Sequence, residues 1–272
     1  MKERKPIKDR FKDKVAIITG GSSGIGKATL EEICKEGAAA VFTGLDDFGH
    51  QMVGEMTGAG FNVAYCQGDM ANEQFCKDTV ALTPEKFGKI NYLLNNAFSF
   101  VSKGLDASRD DWERVLQVGP MAFALMGTLV AEPMREQGGG SIVNMSSISA
   151  FIAQPNRWTY NAAKGAVHTL TKCMALDLAR HNIRVNSVSP GWTWTREVDK
   201  AAKGDRATWE PVWGQYHMLE RCADPVECAG PVLFLFSDDA SFITGADLAV
   251  DGGYDSLGPE GLGRTSKFVG SK

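Results

Sequence analysis

The sequence predicts an α/β fold, a doubly wound parallel sheet of about seven strands in a single domain. Three observations carry that prediction. Short apolar, often β-branched runs recur along the chain. Helical patterns separate most of them, and nearly continuous apolar strands alternating with helices mark a parallel sheet covered on both faces. The first run ends in a glycine-rich turn that opens directly into a helix, the unit from which right-handed crossovers are built.

Val15-Ala-Ile-Ile-Thr19 is the first strand, and from Gly24 a helical pattern runs to Glu36, where Gly37 stops it. Further strands are expected at 39–43, 61–65, 90–94, 141–145 and 183–188, with helices near 72–87, 109–136 and 158–181. A last helix at 225–236 leads to a seventh strand at Leu248-Ala-Val250. Pro120 and Pro133 fall inside the 109–136 helix, and each is expected to kink or shorten it by removing a backbone donor. Residues 192–222 have weak periodicity and carry Trp192, Trp194, Trp209 and Trp213. They are expected to form an insertion over the carboxyl edge of the sheet, where ligands bind in such folds. No repeat or linker divides the chain. The expected organisation is an N-terminal extension at 1–13, the domain at 14–254 and a C-terminal tail at 255–272.

Composition narrows the function. The 272 residues carry a formal net charge of −4, which gives no whole-chain attraction to nucleic acid. Six cysteines lie scattered without metal-ligand spacing and read as reduced thiols; no metal site is expected. The charged start lacks the apolar core of a signal peptide, and no stretch is read as a membrane span. The expectation is a soluble, cytoplasmic protein without a membrane or nucleic-acid partner.

Chemistry enters with Tyr160 and Lys164, four apart in a helical stretch, and Ser147 thirteen residues before the tyrosine. Residues i and i+4 share a helix face, so an ammonium can sit beside the phenol and favour its ionised form. A phenol alone, with a pKa near ~10, is a poor base at neutral pH. Upstream, Thr19-Gly-Gly-Ser-Ser-Gly-Ile-Gly26 lies where a pyrophosphate cradle belongs. Gly20 and Gly24 permit a tight turn and close backbone approach, Gly26 permits close helix packing, and the helix start offers unpaired N–H groups. After the second strand, Val41-Phe-Thr-Gly-Leu-Asp-Asp47 holds no Lys or Arg. Asp46 or Asp47 would repel a 2′-phosphate, so NAD is favoured over NADP; the alternative is a solvated acidic loop.

With the glycine turn, Ser147 and Tyr160-x-x-x-Lys164 in this order, the chain resembles the short-chain dehydrogenases/reductases, a Rossmann-like family, across residues 11–254. Asp69, Asn95-Asn-Ala97, Asn186-Ser-Val-Ser-Pro-Gly191, Thr195, Thr244-Gly and Asp251-Gly-Gly253 extend the likeness. The resemblance implies an NAD(P)-dependent oxidoreductase that moves a hydride between nicotinamide and a secondary alcohol or ketone. It implies Tyr160 as general acid/base, Lys164 as holder of the nicotinamide ribose and depressor of the tyrosine pKa, and Ser147 as the group that orients the substrate oxygen. It further implies a dinucleotide held by Gly20, Ser22, Ser23, Gly24, Ile25, Gly26 and Asp46, with Asp69 and Met70 at adenine. Asn95 and Ala97 would line the ribose and central sheet, and Pro190, Gly191, Thr193 and Thr195 would hold the nicotinamide end. Such enzymes are usually dimers or tetramers, with helices equivalent to 109–136 and 158–181 at the interface.

There are departures from the family pattern. Gly119 stands where an Asn usually relays protons to the lysine, Phe98 where a Gly usually follows Asn-Asn-Ala, and Gly44 where an acidic residue usually closes the second strand. Gln154, Arg157 and Trp158 before the tyrosine, with Phe151 and Ile152, and Trp192 and Trp213 in the insertion, with Trp194, Trp209, Tyr216, His217 and Met218, are expected around the substrate. So many aromatics suit a ring: aromatic, alicyclic, steroid-like or sugar. Some of the tryptophans equally serve packing. Arg157, Arg196 and Lys200 read either as an anion site or as surface charge. Two other functions stay open, a 3-ketoacyl-carrier reductase and a dinucleotide-binding sensor with impaired catalysis.

Overall fold

Seven strands pair in parallel in the order β3-β2-β1-β4-β5-β6-β7: β1 (Val15–Ile18), β2 (Ala39–Gly44), β3 (Val63–Gln67), β4 (Tyr92–Asn95), β5 (Gly140–Met145), β6 (Ile183–Pro190) and β7 (Asp247–Val250). This is a computed structural model that describes residues 3–258 and 261. The strand order reverses between β1 and β4, and the crevice beyond their carboxyl ends is where an open α/β sheet binds ligands.

Helices cover both faces. On one, α1 (Gly24–Lys35), α2 (Phe48–Gly58) and α9 (Pro225–Phe236) bury Leu30, Ile33, Met52, Val232 and Phe236 against Ala16, Ile18, Ala40 and Phe42. On the other, α3 (Glu73–Phe87), α5 (Ala122–Glu136) and α6 (Trp158–Leu178) bury Val80, Met126, Val130 and Ala175 against Ile17, Leu93, Ile142 and Val185. Alternate residues of β1 thus feed opposite cores, as the period of two requires.

The helix expected over 109–136 is divided. α4 (Arg109–Leu116) opens with a capping box in which Ser108 and Asp111 satisfy each other's backbone donors. A wide turn at Gln117–Met121 then precedes α5, with Gly119 at φ −87° and ψ −112°. Pro120 sits in that turn, as its missing donor demands. Pro133 leaves α5 unbroken; with Val130 and Met134 both anchored in the core, the helix tolerates one lost hydrogen bond. Arg109–Glu136 is, by length and composition, apolar enough to cross a membrane, contrary to the sequence reading. The row Val118, Ala122, Met126, Val130 and Met134 packs into a core, which accounts for the apolarity.

One element differs further from expectation. α2 was not anticipated, because only Gly49, Met52 and Met56 of its residues are buried and its three glycines blur the helical pattern. The segment read as an N-terminal extension is docked where described. Phe11 is buried edge-on to Tyr92, Arg4 pairs with Glu32 and Glu36 of the α1 end, and Arg10 donates to the Leu233 carbonyl of α9. Of the expected tail, residues 259, 260 and 262–272 lie outside the described residues.

Candidate active site

Two adjoining cavities open at the β1/β4 switch point. The first, about 370 Å³, is lined by Gly20, Ser22, Ser23, Gly24 and Ile25 of the turn, by Asp46, Asp69, Met70 and Ala97 at the strand ends, and by Thr195. The turn is built as the sequence suggested. Gly20 and Gly24 have φ of +65° and +56°, the region where glycine alone is unstrained. A Cβ at Gly26 would come within 2.3 Å of the Gly20 carbonyl oxygen. Ser23 precedes α1 without capping it through its side chain, which leaves N–H donors at the helix start facing the cavity. Uncapped donors at a helix N-terminus suit a pyrophosphate.

At the far end of this cavity a Cβ on Gly44 would lie 2.4 Å from Ser22 Oγ and 2.8 Å from the Tyr65 hydroxyl. No acidic side chain fits there. Asp46, two residues on, enters the cavity instead, its backbone carbonyl held by the Tyr65 hydroxyl at 2.7 Å. Its Oδ2 receives Arg196 Nη1 at 3.3 Å, and its shielded Oδ1 has no partner among the described residues. That orphaned oxygen fits a ribose hydroxyl. Asp69 accepts from Ala71 N–H and from Arg114, and Met70 lies under Thr43.

The second cavity, about 490 Å³, holds Ser147, Tyr160 and Lys164 together. Ser147 lies two residues beyond β5 in extended conformation and accepts the Ser149 N–H at 3.1 Å, which leaves its own O–H free to donate. Tyr160 and Lys164 project from one face of α6. Burial pushes the Tyr160 phenol above its ordinary value, with the Ser147 hydroxyl and the Arg157 charge opposing the rise. Burial alone drives Lys164 down to about 7. A desolvated amine near 7 carries only part of its charge at neutrality, which weakens any pull it exerts on the phenol. Lys164 Nζ donates to the Met145 carbonyl at 2.8 Å and lies 3.7 Å from the centre of the Phe98 ring.

Several expected residues are placed differently. The Asn95 side chain lies outside both cavities, donating to Asn144 Oδ1 at 2.9 Å and to the Phe123 carbonyl; consecutive strand residues face opposite ways, so the next residue, Asn96, lines both cavities. Gly26 packs under the turn rather than facing the cavity. Trp158 is 53% exposed and outside the substrate cavity, because two positions before Tyr160 is the far side of the helix. Gln154, Arg157, Trp192 and Trp213 do line it, as do Pro190, Gly191, Thr193 and Thr195.

The insertion folds as α7 (Arg196–Ala201) and α8 (Arg206–Gly214) over the cavity. Trp213 stacks on Trp192 at 4.9 Å and 14°, and on Trp209 at 5.3 Å, with Trp194 tilted at 5.7 Å. Of the expected wall, Phe151, Ile152, Trp194, Trp209, Tyr216, His217 and Met218 do not reach the cavity. His217 supports it from behind, its Nε2 accepting the Trp192 N–H at 3.1 Å. Phe100, which sequence reasoning missed, stacks on Tyr160 at 5.8 Å and 18°. Its loop is tied to α6 through Thr159, which donates to the Val101 carbonyl and accepts the Lys103 N–H.

Residues 20–255 match a family model described as enoyl-(acyl carrier protein) reductase. The chain is 37% identical over 250 residues to a cyclopentanol dehydrogenase of Comamonas sp. (strain NCIMB 9872), an alignment spanning 90% of this chain and 98% of that one. It is 33% identical over 255 residues to a cyclohexanol dehydrogenase of Acinetobacter sp. (strain SE19), spanning 93% and 99%. Ligand-free aldohexose dehydrogenase of Thermoplasma acidophilum has the same fold, with a TM-score of 0.83 and 32% identity over 92% of this chain and 97% of that one. A dinucleotide cradle running into a buried Ser, Tyr and Lys, on a sheet shared with these relatives, places the chain in the short-chain dehydrogenase/reductase family, NAD(P)-dependent oxidoreductases acting on CH–OH groups.

Proposed function

We propose that the protein oxidises cyclic secondary alcohols, or reduces the matching ketones, with Ser147, Tyr160 and Lys164 as catalytic residues and NAD as the preferred cofactor. The observation that carries this reading is the continuity of the two cavities: Ile25, Asn96, Phe98 and Thr195 line both. A dinucleotide laid along the first would reach Tyr160 in the second. Bound there, nicotinamide supplies the two-electron hydride acceptor or donor. Gly20, Ser22, Ser23, Gly24, Ile25, Asp46, Asp69 and Met70 would hold the adenosine and phosphate portions, and Pro190, Gly191, Thr193 and Thr195 the nicotinamide end. Ala97 would line the ribose.

The protein's own part is proton transfer and orientation. Ser147 donates to the carbinol oxygen as negative charge develops on it. Tyr160 takes the hydroxyl proton during oxidation and returns one during reduction. Lys164, poised near neutrality, receives the proton that Tyr160 must shed before the next turnover. The ring preference is supported by the ring alcohols in the names of two relatives and by the aromatic wall of Phe98, Phe100, Trp192 and Trp213. Preference for NAD is supported by the unpartnered oxygen of Asp46, which would meet a 2′-phosphate with like charge.

We also propose a cytoplasmic homo-oligomer. Supporting it are six unpaired thiols and the exposure of Met121 and Leu176, 61% and 80%, on the faces around α5 and α6. Light scattering on the purified protein tests the second point, and a monomer refutes it.

Absorbance at 340 nm with cyclopentanol, cyclohexanol and a 3-ketoacyl thioester, each with NAD or NADP, tests the reaction. Turnover of the ring alcohols that falls by about a thousandfold or more in Tyr160→Phe, with dinucleotide binding retained, is expected. Turnover of the thioester alone refutes the substrate class; Tyr160→Phe with full activity refutes the catalytic assignment.

A further inference from the structure

Lys164 is buried in an unusual setting. An ammonium has three donors, yet Nζ finds a single acceptor among the described residues, the Met145 carbonyl. The groups around it are the Tyr160 phenol on its own helix, with Arg157 beyond; Ser146 and Ser147 at the end of β5; and Phe98 from the loop after β4. Glu197 lines the same cavity from α7 and is engaged by Lys200 at 2.9 Å.

Phe98 presents its face to the lysine and its edge elsewhere. A Cβ at Gly119 would lie 2.6 Å from Phe98 Cε2 and 3.2 Å from Cζ, so the ring fills the space that a side chain at position 119 would take. The ring also meets Tyr160 edge-on at 5.4 Å and 80°. Gly119 sits in the wide turn between α4 and α5, where the Ala122 N–H bonds the Gln117 and Gly119 carbonyls and Pro120 has no N–H to offer the Leu116 carbonyl. Polar groups of that kind gather water wherever there is room. Here the room is taken by an aromatic ring, and the ring fits because position 119 has no side chain.

We propose that Phe98, seated on Gly119, is a positioning residue that seals Lys164 from the α4–α5 turn, so that the Tyr160–Lys164 pair exchanges protons with water only through the substrate cavity. This rests on the reading of Tyr160 and Lys164 as the proton-transfer pair. In oxidation the proton lost by the alcohol passes to the tyrosine oxygen, and the tyrosine's proton passes to the lysine amine. The ammonium so formed is held by the Met145 carbonyl and the ring face. With no water on the turn side, it loses its proton only through the substrate cavity.

Lysine-selective ¹³C labelling, with the Lys164 resonance identified by its loss in Lys164→Arg, follows the amine directly and needs no turnover. The expected wild-type inflection is near neutrality. Phe98→Ala admits water and raises it by a unit or more, a tenfold gain in proton affinity, whereas Phe98→Leu keeps the bulk, admits no water and does not raise it, lowering it only by the loss of the ring face. Gly119→Ala, which pushes the ring aside with the phenylalanine intact, raises it as Phe98→Ala does, and the double variant raises it no further. An unchanged or lowered inflection in Phe98→Ala overturns the seal, as does a rise in Phe98→Leu equal to that in Phe98→Ala, since leucine still fills the space and loss of the ring face alone lowers the inflection. Failure to oxidise any ring alcohol would refute the proposed reaction while this titration still decides the seal.

Discussion

Arg196 Nη1 reaches across the dinucleotide cleft to Asp46 Oδ2 at 3.3 Å, joining the end of β2 to the first residue of the lid helix α7. Both side chains are about half exposed, so the pair itself adds little stability. Its importance is positional, since a bound ribose must share or displace the arginine. Asp46→Ser is expected to raise the NADP to NAD ratio of kcat/KM by about tenfold or more, roughly 1.4 kcal/mol, because Arg196 then loses its carboxylate and can meet a phosphate. Arg196→Ala in the same background should remove most of that gain. Steady-state kinetics with both dinucleotides decide this.

The protonation of the catalytic pair predicts opposite pH profiles for the two directions. Lys164 falls to about 7 through burial, and oxidation needs its amine empty. The kcat/KM for alcohol oxidation, which reports the free enzyme, should therefore rise as pH rises through about 7, and that for ketone reduction should fall. Stability follows the same group. Between about 7 and the ordinary value of 10.5 the unfolded chain binds a proton that the folded chain does not, so stability rises with pH across that window. Denaturant titrations of Lys164→Met should show a shallower rise there than the wild type.

Arg157 predicts a substrate preference. It lies at the start of α6 over Trp192, 5.5 Å from that ring, and lines the substrate cavity. Among the described residues no carboxylate pairs with it, while Arg196, Lys200 and Arg206 are all paired. A carboxylate on the ring is therefore expected to improve kcat/KM relative to cyclohexanol. Arg157→Met should lose that improvement by about tenfold while neutral alcohols are affected less. Kinetics with cyclohexanol and its carboxylated analogue give the answer.

Phe11 predicts that the N-terminal segment is part of the fold. Its ring is buried between Tyr92 and the α1 and α9 layer. Phe11→Ala should cost about 3–5 kcal/mol in stability, measurable by denaturant unfolding, whereas an extension outside the core would cost nothing.

The sheet was legible because its strands are continuous apolar runs between helices, and Tyr160, Lys164 and Ser147 because their spacing and order are specific. What stayed hidden depends on side-chain direction. Asn95 and Asn96 are chemically identical in sequence, and only the strand's facing separates a sheet staple from a cavity wall. Trp158 and Arg157 are neighbours on a helix whose exact phase composition does not give. Phe100 and Arg196 act across the cleft on Tyr160 and Asp46, contacts between segments far apart in the chain. Gly119 and Phe98 each stood out as departures, but their fit to one another exists only in three dimensions.

The stacked indoles of Trp192, Trp209 and Trp213 lend the lid an optical signature of its own. Rings this close share their excited states, so their emission and circular dichroism depend on mutual orientation. Movement of α8 against the sheet would separate Trp209 and Trp213 from Trp192 and change both signals at once. The protein thus carries an unlabelled gauge of the position of α8 beside the substrate cavity.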